Sequence, residues 1–412
     1  MLLEREDVNP NQADTEYSRT PLSWAAKMGH EGIVKMLLER EDVNPNRADT
    51  KYGWAPLAWA AADGRSGMVG MLLEREDVNP NQAESEHGKT PLLWAAKKGN
   101  QGVVGVLLER GGASPSLADP ILGWTPLSWA AKKGNGGVVK MLLRREDVNL
   151  DHAGTSPCRA PLVWAAANGH EGVVKMLLER EGINPNQPDT NSGQTPLAWA
   201  AANGHEGVVK MLLEREGIDP NQEDTSSGQT PLTWAAANGQ EGVVKMLLGR
   251  EDVNPDQADT ESGLTLLLWA ARNGHGGVVK VLLEREEVNP DRVDTKCGWT
   301  PLLRATKNGH YGVVKILLER EDVNPNQADT EYGRAPLSWA AEKGHQGIVK
   351  ILLERKDVHT TTPDNLNQTP LLLACSRAHH SVVKMLWEWD KENSDASDHN
   401  DHPLLPPPDV SA

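Results

Sequence analysis

A chain of 412 residues with 58 acids against 42 Lys and Arg carries a net charge of −16. That balance excludes a general nucleic-acid binder and a membrane-surface protein, both of which show a basic footprint. No apolar run approaches the roughly 18 residues of a membrane span. Cys158, Cys297 and Cys375 make neither a disulfide framework nor zinc-ligand spacing. The expected class is a reduced, intracellular, cytoplasmic protein with no cofactor and no metal.

In chain order, Met1-Leu2-Leu3-Glu4-Arg5 repeats Met36-Leu37-Leu38-Glu39-Arg40, so residues 1–19 are expected to be the trailing half of a truncated repeat. From Thr20 onward self-similarity decides the architecture. The phrase Thr-Pro-Leu, or Ala-Pro-Leu or Thr-Leu-Leu in its place, starts at 20, 55, 90, 125, 160, 195, 230, 265, 300, 335 and 369. Every step is 35 residues except the last, which is 34. In the first copy Thr20 is an N-cap and Pro21 suits the first helical position. Leu22, Ala25 and Ala26 form one apolar stripe, and Gly29 ends the helix. A second helix starts near Glu31, with Ile33, Val34, Leu37 and Leu38 as its apolar face and Glu31–Lys35 on the other side. Asn44-Pro45 forbids helix, and Asp49 through Gly53 has turn residues. Neither short helix can bury its stripe alone, so the units must stack. The predicted fold is an all-α repeat solenoid of helix-turn-helix units with long hairpin loops. Eleven repeats fill 20–390, and the polar, proline-rich segment 391–412 is expected to be disordered.

The recurring phrase TPLxWAAxxGHxGVVKMLLER resembles the ankyrin repeat family, whose signature is T-P-L-H-x-A-A followed by Gly-His and a Leu-Leu helix. In style the array is similar to fungal tandem arrays, often placed after a signalling NTPase of the NACHT type. Some positions depart from the family. Its His after Thr-Pro-Leu is Ser23 or Ala198 here, and its Gly closing helix two is replaced, as by Arg40-Glu41-Asp42. The hairpin gains about three residues and is expected to be looser. The resemblance implies a non-enzymatic scaffold, expected to be monomeric, that binds a protein partner through hairpin tips and the concave face of helix one. The alternative is the ligand-sensing array of a NACHT-type NTPase whose catalytic domain lies upstream.

No Gly-rich phosphate loop occurs and no nucleophile–base pair breaks the periodicity, so catalysis is not expected. The recurrent His30, His170, His205, His275, His310 and His345 read as structural hydrogen-bonding groups rather than ligands. The two residues before the helix-one Gly vary between copies. They include Lys27, Lys97, Lys98, Lys132 and Lys133, then Arg272, Lys307 and Lys343, against only two acids, Asp63 and Glu342. Such a stripe would attract an acidic partner; the same cations would also complement helix dipoles. The periodic Trp row, Trp24 through Trp339, reads as inter-repeat packing, and Arg304 interrupts it and is expected to loosen that seam. Trp54, Trp124 and Trp299, just before the Thr-Pro-Leu motif, and Tyr17, Tyr52 and Tyr332 in the nearby turn, are expected to be exposed partner anchors. The competing reading lays each of these Trp flat on its own hairpin.

Overall fold

The computed structural model describes residues 8–151, 159–256, 258 and 263–395. Met1–Arg5, Cys158 and the tail from 396 lie outside them. Among the described residues helices come as eleven pairs, the first Pro21–Met28 and Glu31–Leu38. The local chemistry is that of the sequence. Thr20, in extended backbone, accepts the Ser23 N–H on its hydroxyl, and Gly29 closes the helix at φ 86°. Ala55, Ala160 and Ala335 start their helices without that side-chain bond. In the eighth copy Leu266 replaces Pro, yet the helix still starts there, on the Thr265 hydroxyl. The last helix departs from expectation. His380–Asp395 continues to residue 395, into the segment expected to be disordered. No Asn-Pro follows it to end the helix, and Lys391 and Glu392 are good helix formers.

The chain divides into two compact units, 1–235 and 236–412. Within each, helix one packs on the next helix one, as Pro91–Lys98 does on Pro126–Lys133, and helix two on the next helix two. Leu92, Ala95, Ala96, Val103, Val104 and Leu107 are wholly buried in one such layer. Each buried leucine contributes about 1.5–3 kcal/mol relative to exposure, and the alanines let helix backbones approach. At the helix-one turn glycine is required. Gly134 has φ 70°, and a Cβ there would meet the His170 ring at 2.7 Å.

Three ladders of side chains stitch the repeats. The first runs from the start of helix two to the last carbonyls of the preceding helix one. Asn135 Nδ2 donates to Ala96 O at 2.8 Å, and His170 Nε2 faces Lys132 O at 3.0 Å. His205 and His310 do likewise. These histidines therefore carry the Nε2 proton and act as structural hydrogen-bonding groups.

The second ladder explains the missing glycine after helix two. Arg75 grips Asp77 with Nε and Nη2 (2.9 and 2.6 Å) and donates from Nη1 to Arg40 O at 2.9 Å. Arg320 similarly holds Asp322 and Leu283 O. Each guanidinium thus caps the preceding helix two, so the carbonyls that a glycine turn would satisfy find a donor one repeat away.

The third ladder corrects the expectation of loose hairpins. Asn46 donates from Nδ2 to Asp77 O at 2.6 Å and accepts the Asn79 N–H at 2.8 Å. Asn11, Asn186 and Asn326 make the same pair of bonds to their next repeats. The extra hairpin residues are laced together by asparagines.

Asp291 stands at this position without the amide. One carboxylate oxygen accepts the Asn324 N–H at 2.8 Å, while the other is buried without a partner. Burial, with Asp322 nearby, pushes its pKa up. Asp291→Asn should therefore stabilise the second unit by about 1–2 kcal/mol at pH 7, by supplying the missing donor. The sign of the pH dependence follows from the raised pKa. The ionised form is disfavoured in the fold, so the parent loses stability as pH rises from about 3.9 through the folded value. The gap between variant and parent should shrink as pH falls from 7 to 4 in urea unfolding. A gap independent of pH would refute this account of Asp291.

Candidate partner-binding surface

The surface formed by helix one and its hairpin is built on a row of indoles. Most of these Trp donate Nε1–H to an acid ten residues earlier, as Trp24 to Asp14 (2.8 Å), Trp199 to Asp189 (2.7 Å) and Trp339 to Asp329 (2.8 Å), whereas the Nε1 of Trp94 and of Trp164 is buried without a partner. The same carboxylate accepts backbone N–H groups of its own turn, such as Tyr17 N and Tyr332 N. Burial pushes Asp189 and Asp224 up, but their hydrogen bonds outweigh it and hold both below the usual carboxylate range. One side chain thus shapes the hairpin and orients the indole. The ten-residue spacing from acid to Trp, broken in the row only at Trp164 by Gly154, is the signal for it in the sequence, where each acid by itself reads as a turn residue.

The residue before the Thr-Pro-Leu motif wedges between consecutive indoles. Arg19 lies 4.8 and 5.2 Å from the Trp24 and Trp59 ring centres, and Arg159 lies 4.7 and 3.6 Å from Trp164 and Trp199. Trp54 fills the position between Trp59 and Trp94, and Trp124 between Trp129 and Trp164, with centroids 4.5–4.9 Å apart. The expected exposure of these wedge Trp is therefore corrected. Trp124 is 6% exposed against 7% for Trp129, Trp299 is 3% exposed, and Trp54 is half-buried. The hairpin carries the wedge under the next repeat instead of out to solvent. Tyr52 and Tyr332 meet Trp59 and Trp339 edge-on, and Tyr332 stays exposed.

The basic stripe separates into two kinds of cation. Lys27, Lys97, Lys132 and Lys307 are half-buried, each against two indoles at 4.0–5.2 Å. Lys98, Lys133, Arg272 and Lys343 are exposed, although Arg272 and Lys343 also lie within 5.3 and 5.8 Å of a Trp ring centre. Burial, then neighbouring cations, lowers the pKa of Lys97 and Lys132. Glu342 does not belong to the stripe, because it is buried between Arg334 and Arg377. Arg304 does not simply open the row. Its guanidinium pairs with Asp294, as the indoles do with their acids, and lies 5.1 Å from Trp299.

The repeated helix pair, its left-handed glycine and its hairpin agree with a family model. Overlapping stretches from 1–84 to 267–362 match a model of ankyrin repeats in three copies, covering residues 1–362. The chain belongs to the ankyrin-repeat family. Its ankyrin helices form an all-α repeat solenoid, a fold that serves as a protein–protein interaction module and is typically non-catalytic. The eleventh pair lies beyond the matched stretches but keeps the ankyrin stitching, with His379 Nε2 2.9 Å from Glu342 O. A search of curated proteins finds no match to the chain. Among the described residues no helix is long and apolar enough to cross a membrane.

Proposed function

We propose that the first unit is a non-enzymatic scaffold that holds an acidic segment of a partner protein on its helix-one face. The observation that carries this reading is the crowding of cations there. Lys97 has Lys89, Lys98 and Lys133 as like-charged neighbours, and Lys132 has Lys133, Arg159 and Lys97, in a chain of net charge −16. Lys97 and Lys132 rest on indoles, so the exposed Lys98 and Lys133 make the contacts and the others supply the field. Arg272 and Lys343 offer the second unit exposed cations of its own.

The test spares the packed lysines. Lys98→Gln with Lys133→Gln should slow association of a fluorescent glutamate-rich peptide about three- to tenfold at low salt, with little change in release, because steering acts on the on-rate. The parent's rate should fall as salt screens exposed charges beyond about 8–10 Å. The fold should survive, since exposed substitutions usually stay within about 0.5 kcal/mol. An unchanged on-rate, with no salt dependence in the parent, would leave these lysines as partners of the helix dipole alone.

A further inference from the structure

The sixth step of the indole row differs from the first in charge. In the first, two cations of the chain lie against Trp24 and Trp59: Arg19 from the hairpin and Lys27 from the end of helix one. Arg19 also pairs with the buried Asp49, Nε to Oδ2 at 3.3 Å, and stacks on Tyr17. The third step has the same two cations, Lys89 and Lys97, over Trp94 and Trp129. Five periods after the first step the corresponding residues are Gln194 for Arg19, Ala202 for Lys27, Ser192 for Tyr17 and Asp224 for Asp49. Both cations and the tyrosine have become neutral small or amide side chains, and the carboxylate has stayed.

Asp224 is 4% exposed. It accepts from Ser226 and Ser227 and from Trp234 Nε1 at 2.8 Å, and among the described residues no Lys or Arg pairs with it. Trp199 is half-buried, with Arg159 stacked 3.6 Å from its centroid on one face. Its Nε1–H donates to the Asp189 carboxylate, which makes the indole a better partner for a second cation. The hydroxyls, N–H groups and indole N–H around Asp224 satisfy it as a hydrogen-bond acceptor, but this step carries no lysine or arginine of its own at the two positions where the first and third steps place cations against their indoles.

We propose that this step takes its cation from outside: a lysine or arginine side chain of a partner protein, its charged head against Trp199 and near Asp224. The proposal rests on the reading that this face binds a protein. It also gives the partner segment a pattern, acidic along Lys98 and Lys133 and basic about two repeats further on, roughly 20 Å at about 10 Å per unit.

The probes are a pentapeptide, acetyl-Gly-Gly-Lys-Gly-Gly-amide, and its norleucine counterpart, titrated into the full chain carrying 5-fluorotryptophan. Trp199→Phe assigns the Trp199 resonance. The lysine peptide should move that resonance along a saturating curve with a Kd on the order of 1 mM or weaker, and the norleucine peptide should not. Ala202→Lys places at this step the residue that the chain already carries as Lys97 and Lys132, so the fold is retained, and it should weaken the response about tenfold. Equal responses to both peptides, no response at Trp199, or an unchanged response in Ala202→Lys would each overturn the proposal. A glutamate pentapeptide titrated into the same sample reports on the lysine patch through Trp129. Loss of the Trp199 response alone refutes the cation site, and loss of the Trp129 response alone refutes the acidic-partner reading.

Discussion

Arg334→Leu should lower the stability of the last two repeats by about 3–5 kcal/mol, the usual cost of removing one partner from a buried charge network. Arg334 is 7% exposed and serves two carboxylates, Asp364 through Nε at 2.8 Å and Glu342 through Nη1 at 3.0 Å. Leucine would fill much of the volume but leave two buried anions, Glu342 keeping only the partly exposed Arg377. The pH dependence should change sign with the substitution. In the parent, burial raises the Asp364 pKa, but the Gln368 N–H and Arg334 hold it below the usual range. A depressed carboxylate stabilises above about pH 3.9, and that contribution is lost as pH falls through the folded value. In the variant the cation is gone and burial remains, so protonation should relieve part of the deficit as pH falls from 7 toward 4. Repeat arrays open piecewise, so hydrogen exchange of the Pro336–Lys343 helix is the suitable readout. A deficit under about 1 kcal/mol, or one that grows on acidification, would show that Arg334 does not neutralise this pair.

The helix pairs were legible because their signals are local. A cap, a proline, an apolar stripe and a left-handed glycine lie within ten residues of one another, as from Thr20 to Gly29. The stitching was not legible, because it joins residues about one repeat apart. Arg75 reaches Arg40 O, Asn46 reaches Asp77 O and His170 reaches Lys132 O. Reading each copy alone, Arg-Glu-Asp looked like a lost glycine and Asn-Pro-Asn like slack. The surface was legible in composition and misjudged in direction. Lys97 and Lys98 are neighbours in the sequence, but successive helical residues point about 100° apart, so one lies on two indoles and the other in solvent. Single loops rarely bury a side chain, which would put the loop Trp in water. Stacked hairpins escape that rule, since each lies against the next one.

That stacking makes Trp124 a structural residue of large effect. Trp124→Ala should cost about 3–5 kcal/mol, as large-to-small changes of buried aromatics do. It would remove the ring between Trp129 and Trp164, at 4.5 and 4.7 Å, and one of the two indoles under Lys132. Its own Nε1 is buried without a partner, so no hydrogen bond is lost, and the cost lies in the cavity and in the solvent admitted to Trp164. Trp124→Arg should fall between the parent and the alanine variant. Arg159 shows that a guanidinium fits between two indoles, which preserves the stacking. Arg19, however, finds Asp49 thirty residues on, whereas the sequence has Gly154 at the corresponding distance from Trp124, so the new charge would be buried without its carboxylate. The order parent, arginine, alanine should appear both in urea unfolding followed by hydrogen exchange of Pro126–Lys133 and in acrylamide quenching of Trp129. If Trp124→Ala kept stability within about 1 kcal/mol and only weakened peptide capture, the indole would be a partner anchor and its burial would contribute little to the fold.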